Sequence, residues 1–250
     1  MRAVILGSGS KGNSTLLISK RKKILIDVGF SYPKILDELN KYGFKPSDID
    51  AILITHTHKD HIAGLKSFIH KNPIPVYTNS IMLQELLKII PYDNFILCHD
   101  EYSIDELSIL AIHTSHDAKG SVGFLIDDGN SSLVYITDTG YLNEKYLKKI
   151  INKNVYILES NHDINMLMTG PYPFILKQRV LSDKGHLSNE TCGNYLNKLI
   201  GDSTKRVILA HLSEINNTPD LAISTVSRIT NNRLKVEAAL QNESFDVGEF

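Results

Sequence analysis

Three imidazoles and one carboxylate fall within six consecutive residues, His56-Thr57-His58-Lys59-Asp60-His61. They directly follow the apolar run 51–54, which reads as a buried strand ending where a polar turn begins. Imidazole nitrogen and carboxylate oxygen together suit Zn, Mn or Fe. The alternation lets His56 and His58 face one centre while Asp60 and His61 face its neighbour. A surface histidine cluster is the competing explanation, yet four metal-ligand side chains on one turn behind a buried strand favour a metal site. The same side-chain types recur downstream, at His116 in Ser115-His116-Asp117-Ala118, Asp138 in Thr137-Asp138-Thr139-Gly140, Glu159 after the run 155–158, His186 in Gly185-His186-Leu187-Ser188-Asn189, and His211 in Ala210-His211-Leu212-Ser213. Each also has a plainer reading. Asp138 could cap a local turn, His211 could sit at a core edge, and His116 competes with His113. Asp27, at the end of an early apolar run, could be a turn carboxylate.

The segment Gly7-Ser8-Gly9-Ser10-Lys11-Gly12-Asn13-Ser14 alternates glycine and serine like a phosphate-cradling loop. It is not a Walker loop, because the GK[ST] ending is absent. Two readings stay open: a structural turn, or phosphate contact through Ser8, Gly9, Ser10 and Lys11. Lys59, Lys119 and Lys184 lie near candidate loops and read equally as phosphate contacts or solvated surface. His162 reads as a supporting residue beside Glu159 or as part of a helix start. His70 and His99 read as ordinary exposed residues.

Short strands separated by turns and helices must position these groups. Apolar or β-branched runs predict strands at 3–6, 16–19, 23–27, 49–55, from 76, 95–98, 103–113, 122–127, 133–137, 155–159, 207–210 and 234–238. Helical spacing predicts helices at 33–42, from 62 to 68, 80–90, 143–150, 174–181, 189–199 and 219–229, the last with Pro219 in its first turn. Two sheets with external helices fit this order better than one parallel Rossmann sheet. No repeat or low-complexity linker divides the chain, so one domain over 1–250 is expected.

The 250 residues carry 27 Lys and Arg against 28 Asp and Glu, a net charge of -1. Strong whole-chain attraction to nucleic acid or anionic membrane is therefore not advertised, although a local basic face remains open. With 42% hydrophobic and 22% charged residues, wholesale disorder is excluded. Cys98 and Cys192 form no CxxC pair and no disulfide framework. No run is long enough to span a bilayer, and the N-terminal apolar run is too short for a signal peptide. The expectation is a cytoplasmic protein with no membrane anchor; oligomeric state is not legible.

His56-Thr57-His58-Lys59-Asp60-His61 resembles the HxHxDH signature of the metallo-β-lactamase superfamily. The resemblance continues through Asp27, His116, Asp138 and His211 in family order, and so covers nearly the whole chain. It implies an α+β fold, a four-layer αββα sandwich, with two divalent ions, Zn or Mn, in a cleft between the sheets. His56, His58 and His116 would hold one ion, Asp60, His61 and His211 the other, and Asp138 would bridge them. Asp27 would support the histidine turn. Glu159 and the histidine of Gly185-His186-Leu187-Ser188-Asn189 resemble the late motifs of ribonuclease Z, which implies that His186, held by Glu159, protonates the leaving group. Asp60 and Asp138 would orient the attacking water.

The small bacterial WalJ/YycJ group matches more closely. It is similar in Gly7-Ser8-Gly9-Ser10-Lys11-Gly12-Asn13, in Glu159-Ser160-Asn161-His162-Asp163, in the 185–189 turn, and in His211-Leu212-Ser213-Glu214 followed by Asn216-Asn217. That resemblance implies a metal-dependent phosphodiester hydrolase acting as a 5′-directed DNA exonuclease, with a role in mismatch repair. No zinc finger or helix-turn-helix is recognisable, which favours low sequence specificity. The alternatives are a small-molecule phosphodiesterase, a ribonuclease Z-like RNA-processing enzyme, and a metal-stabilised interaction protein without activity. Departures restrict the choice further. Asp138 stands where zinc β-lactamases usually use cysteine, and a glyoxalase-like site does not account for Glu159 and the 185–189 turn. Only 21 positions separate Asp138 from Glu159, which leaves no room for a β-CASP insertion. The long substrate arm of ribonuclease Z has no counterpart.

Overall fold

Runs of Val, Ile and Leu broken by turns build two sheets in the computed structural model, which describes all residues 1–250. The first half runs β1 (Arg2–Gly7), β2 (Ser14–Ile18), β3 (Lys23–Ile26), α1 (Tyr32–Lys41), β4 (Ala51–Leu53), α2 (Lys59–Ile62), α3 (Leu65–Lys71), β5 (Val76–Thr78), α4 (Ser80–Ile89) and β6 (Phe95–Leu97). The second runs β7 (Glu101–Ile104), β8 (Leu107–His113), β9 (Val122–Asp127), β10 (Ser132–Ile136), α5 (Glu144–Ile150), β11 (Val155–Glu159), α6 (Ile164–Thr169), α7 (Phe174–Leu181), α8 (Asn189–Leu199), β12 (Arg206–Ala210), α9 (Pro219–Ile229), β13 (Val236–Ala238) and β14 (Phe245–Glu249).

One sheet has the order β14-β1-β2-β3-β4-β5-β6, the other β13-β12-β11-β10-β9-β8-β7. From β3 to β6, and from β10 to β13, neighbours are parallel. Successive side chains on a strand face opposite sides, so β8 to β12 of the second sheet each feed two cores. Ile109, Tyr135, Ile157 and Ile208 face the first sheet in a core that also takes α1, α3 and α4. Leu110, Val134, Tyr156 and Leu209 face outward onto α5, α8 and α9. The resulting helix-sheet-sheet-helix order is the expected αββα sandwich.

The elements differ from the sequence expectation in five places. The stretch 103–113 is not one strand but the hairpin β7–β8, reversed at Asp105, whose φ is 53°. The helix expected from 62 begins earlier and is broken into α2 and α3 at Gly64. Two elements carry too little apolar pattern to be read: β14 buries only Val247 and is held by backbone pairing to β1, and α6 buries only Leu167. The strand around the first histidines spans only Ala51–Leu53.

Candidate metal centre

The metal-ligand candidates, with Asp27 and Glu159, all lie at or just beyond the C-terminal end of a strand, whereas His186 lies in the turn between α7 and α8. Asp27 follows β3, the 55–61 turn follows β4, His116 follows β8, Asp138 follows β10, Glu159 ends β11, and His211 follows β12. Three of these residues turn the chain sharply. Asp27, Asp138 and His211 have φ of 61°, 55° and 55°. Left-handed backbone in a non-glycine residue costs roughly 1–3 kcal/mol and concentrates at functional sites. The histidine turn docks tightly behind: a Cβ added at Gly29 would lie 1.8 Å from the Asp60 carbonyl oxygen, so only glycine permits that approach.

The ligating atoms converge. His56, His58 and His116 form one group, and Asp60, His61 and His211 another, with donor atoms in each within 4.8 Å of one another. Asp138 sits between them: its Oδ2 is 3.2 Å from His61 Nε2, and its Oδ1 is 3.8 Å from His116 Nε2 and 3.5 Å from His211 Nε2. His116 Nε2 approaches His58 Nδ1 at 3.2 Å. Nε2 of His56 and Nε2 of His211 are buried without any hydrogen-bond partner. Buried polar atoms are rarely left unpaired, and imidazole nitrogens pointing with carboxylates into one space are a donor set suited to divalent metal.

The supports are equally specific. Asp27 is fully buried; its Oδ1 accepts from Thr55 N at 2.8 Å, and its Oδ2 lies 2.7 Å from His61 Nδ1. That contact fixes the proton of His61 on Nδ1 and turns Nε2 toward the cluster. Burial opposes a charge on His61, but Asp27 and Asp138 outweigh it and hold its pKa well above the usual range. His56 goes the other way, pushed well down by burial and then by His61.

Glu159 is also fully buried and uses both oxygens. Oε2 accepts from Thr139 N at 3.1 Å and Leu187 N at 3.0 Å. Oε1 lies 2.8 Å from His186 Nδ1 and 2.9 Å from His211 Nδ1. One carboxylate oxygen thus orients two imidazoles, leaving both Nε2 atoms free on the cleft side. Burial would raise the carboxyl, but the charge of His186 and its hydrogen bond, with that of His211, bring it down to about 2. Burial lowers His186, and Glu159 more than offsets this, so its pKa is raised. The turn bearing His186 is locked because Ser188 caps α8 through Thr191 N.

The remaining candidates are sorted by their contacts. His113 pairs with Asp100 at 2.8 Å away from the cluster, which leaves the station to His116. His162 is buried with both ring nitrogens unpartnered, and its backbone bridges Ser188. Ser8 and Gly9 are engaged within the loop itself and with His211. Asn13 Oδ1 accepts from both the Ser8 hydroxyl and Gly9 N, and Ser8 Oγ accepts from His211 N. Ser10 lines a cavity beside His116 and His186, and so does Lys184. Lys11 pairs with Glu214, while Lys59 and Lys119 are exposed.

Five residues had no role in the sequence reading. Asn13 Nδ2 reaches to 3.0 Å from His61 Nε2. Asp117 Oδ1 lies 3.3 Å from His58 Nε2, and its Oδ2 accepts from Arg179 Nε at 2.8 Å. The buried pair Asn189 and Asn217 exchanges hydrogen bonds at 2.9 Å and ties α8 to the loop after His211. Asn13, Asn189 and Asn217 were visible as motif letters; Arg179, 62 positions from Asp117, gave no signal.

Comparison with known proteins agrees with this geometry. Exodeoxyribonuclease YycJ of Bacillus anthracis is 36% identical over 251 residues, covering 98% of this chain and 91% of that protein. Exodeoxyribonuclease WalJ of Streptococcus pneumoniae strain D39 is 38% identical over 229 residues, covering 89% and 85%. Among solved structures, the metallo-β-lactamase fold protein YhfI of Bacillus subtilis superposes with a TM-score of 0.77 at 19% identity, covering 98% of both chains. No helix is long and apolar enough to cross a membrane. The family model for the metallo-β-lactamase superfamily matches residues 7–211, a span from the opening loop to the last histidine of the cluster. With its strand ends, its histidine turn and the aspartate between the two groups all inside that span, the chain is a metal-dependent hydrolase belonging to the metallo-β-lactamase superfamily.

Proposed function

We propose that this protein is a two-metal phosphodiesterase that degrades DNA from 5′ ends with low sequence specificity. The observation that carries the phosphodiester reading is Glu159 Oε1 shared between His186 Nδ1 and His211 Nδ1, which couples a proton donor to the metal cluster. The names of the two curated relatives support DNA as the substrate. His56, His58 and His116 would hold one ion, Asp60, His61 and His211 the second, with Asp138 shared. Zn and Mn both suit this donor set. When bound, the ions supply charge neutralisation at the phosphoryl oxygens and acidify the attacking water.

The residues of the chain do the rest. Asp60 and Asp138 orient the attacking water through their carboxylates. His186, held by Glu159 with Nδ1 inward, presents Nε2 to the leaving oxygen and gives it a proton as the P–O bond breaks. Asp27 keeps His61 in the tautomer that leaves Nε2 free.

A side-by-side assay of 5′- and 3′-labelled single- and double-stranded DNA and RNA, plus a simple phosphodiester, with Zn or Mn, tests the proposal. Stepwise release from DNA 5′ ends is expected. Turnover confined to the simple phosphodiester would replace DNA with a small-molecule substrate, and cleavage of precursor RNA near its 3′ end would replace it with RNA processing. His186→Ala should keep its metal content and lose DNA turnover; an unchanged rate would remove the proton-donor role.

A further inference from the structure

Between Glu159 and His186 the chain leaves the sheet for 26 residues and returns directly to the reacting histidine. This excursion is built from α6 and α7, tied together by Lys177 Nζ donating to Met168 O at 2.7 Å. Its outer face is apolar and uncovered: Met168 is 52% exposed, Phe174 69% and Ile175 80%. Its charge is opposite to that of the whole chain. Residues 164–185 carry Lys177, Arg179 and Lys184 against Asp183 alone, net +2 in a chain of net -1. On α7, Ile175 and Arg179 are four residues apart and therefore share one stripe.

That stripe leads into the site. A cavity of about 140 Å³ is lined by Ser10, Tyr172, Leu176, Arg179, Lys184 and His186. Arg179 is anchored at its edge by Asp117, which itself contacts His58 and His116. An exposed ring, an exposed aliphatic side chain and two cations, running from solvent to the proton donor, match a ligand that alternates apolar faces with anions. A single nucleic-acid strand has that alternation, because unpaired bases stack on side chains while phosphates follow positive charge. Bases inside a duplex are stacked on both faces, and a blunt end offers only the outer face of its last pair, whereas every base of an unpaired strand can be packed on a side chain.

We infer that the α6–α7 hairpin grips an unpaired DNA end, packing bases on Phe174 and Ile175 and guiding phosphates past Arg179 and Lys184 toward His186. The inference rests on the DNA reading above and adds the strand state that the enzyme prefers.

The test measures fluorescence anisotropy of a phosphorothioate-linked single strand and of a blunt duplex, with metal-loaded wild-type protein, the double variant F174S/I175S, and Lys184→Gln. Leu87→Ser, on the exposed face of α4, is the control. Stacking magnitudes give a single-strand affinity about tenfold or more weaker in the double variant, a smaller loss in Lys184→Gln, and no change in Leu87→Ser. Melting temperatures check that each variant is folded. Single-strand affinity unchanged in the folded double variant overturns the inference, as does an equal loss for duplex and single strand. A wild-type protein that neither binds nor cleaves DNA overturns the proposed function as well. A wild-type protein that cleaves DNA, beside an equally active double variant, removes only the hairpin.

Discussion

Replacing Glu159 with glutamine changes one atom and should disable two imidazoles. In the native protein Oε2 is committed to Thr139 N and Leu187 N, both backbone donors. The glutamine carbonyl must take that place, because an NH2 group facing two N–H donors would be repelled. Its NH2 then faces His186 Nδ1 and His211 Nδ1, which must become acceptors and move their protons to Nε2. For His211 this blocks the nitrogen that faces Asp60 and Asp138. For His186 it removes the negative charge that raises its pKa. Loss of a carboxylate supporting a ligand histidine costs about 10–100-fold in metal affinity or activity, and loss of a general acid about 10²–10⁴-fold in rate. With DNA at saturating metal, Glu159→Gln should therefore lower kcat/KM by about 10²–10⁴-fold. With a bis-nitrophenyl phosphodiester, whose leaving group needs no proton, only the metal part should remain, about 10–100-fold or less. The two substrates are assayed in parallel, with metal content measured on the same samples. Wild-type turnover of DNA by Glu159→Gln, or equal losses on both substrates with full metal content, would refute the shared-carboxylate argument.

Metal loading should release protons. In the metal-free protein burial opposes protonation of His211, but Asp138, Asp60 and Glu159 outweigh it and push its pKa up to about 10; His61 is also held high. Both must lose a proton from Nε2 to bind an ion, so affinity should fall as pH falls; calorimetry in buffers of different ionisation enthalpy reads the release. Elemental analysis should find about two ions per chain, with His58→Ala and Asp138→Asn losing far more activity than His70→Ala. His162 supplies a stability prediction. Burial lowers its pKa to about 4 from 6.5, so the unfolded chain takes up the proton first, and the stabilising contribution present above pH 6.5 is lost as pH falls toward 4. The loss is about 3 kcal/mol. Denaturant unfolding of metal-free wild type and His162→Gln should show their stability difference shrinking by that amount between pH 7 and 4; a constant difference would contradict it.

Much of this was legible because strong local patterns coincide with tertiary ones. The apolar strand 51–54 followed at once by three histidines places the ligands at a strand end, and the strand-end turns at Asp138 and His211 repeat that logic. The sequence could not show that Asp138, Glu159 and His211 are brought to one side, since this depends on β10, β11 and β12 pairing in parallel. Contacts made by single residues across long separations were hidden, as with Arg179 and Asp117. So were elements held by backbone pairing rather than burial, as with β14. The opening loop left two readings, a structural turn or a phosphate contact; Asn13 uses its amide to satisfy the loop's own Ser8 and Gly9, which accounts for the structural one.

The parallel pairing of β10, β11 and β12 has a consequence for how such an enzyme diversifies. Neighbouring strands lie about 4.8 Å apart, so residues placed just past successive strand ends are spaced by the sheet itself, as by the marks of a ruler. Asp138, Glu159 and His211 occupy those marks. Their separation is then set by backbone hydrogen bonds deep in the sheet and owes little to the connecting loops. A loop between two marks can lengthen, acquire helices and change its charge while the spacing of the reactive groups stays put. The α6–α7 excursion is such a loop. The sheet thus fixes Asp138, Glu159 and His211, while the β11–β12 connection can be redrafted wherever it does not carry the turn that returns His186 to Glu159.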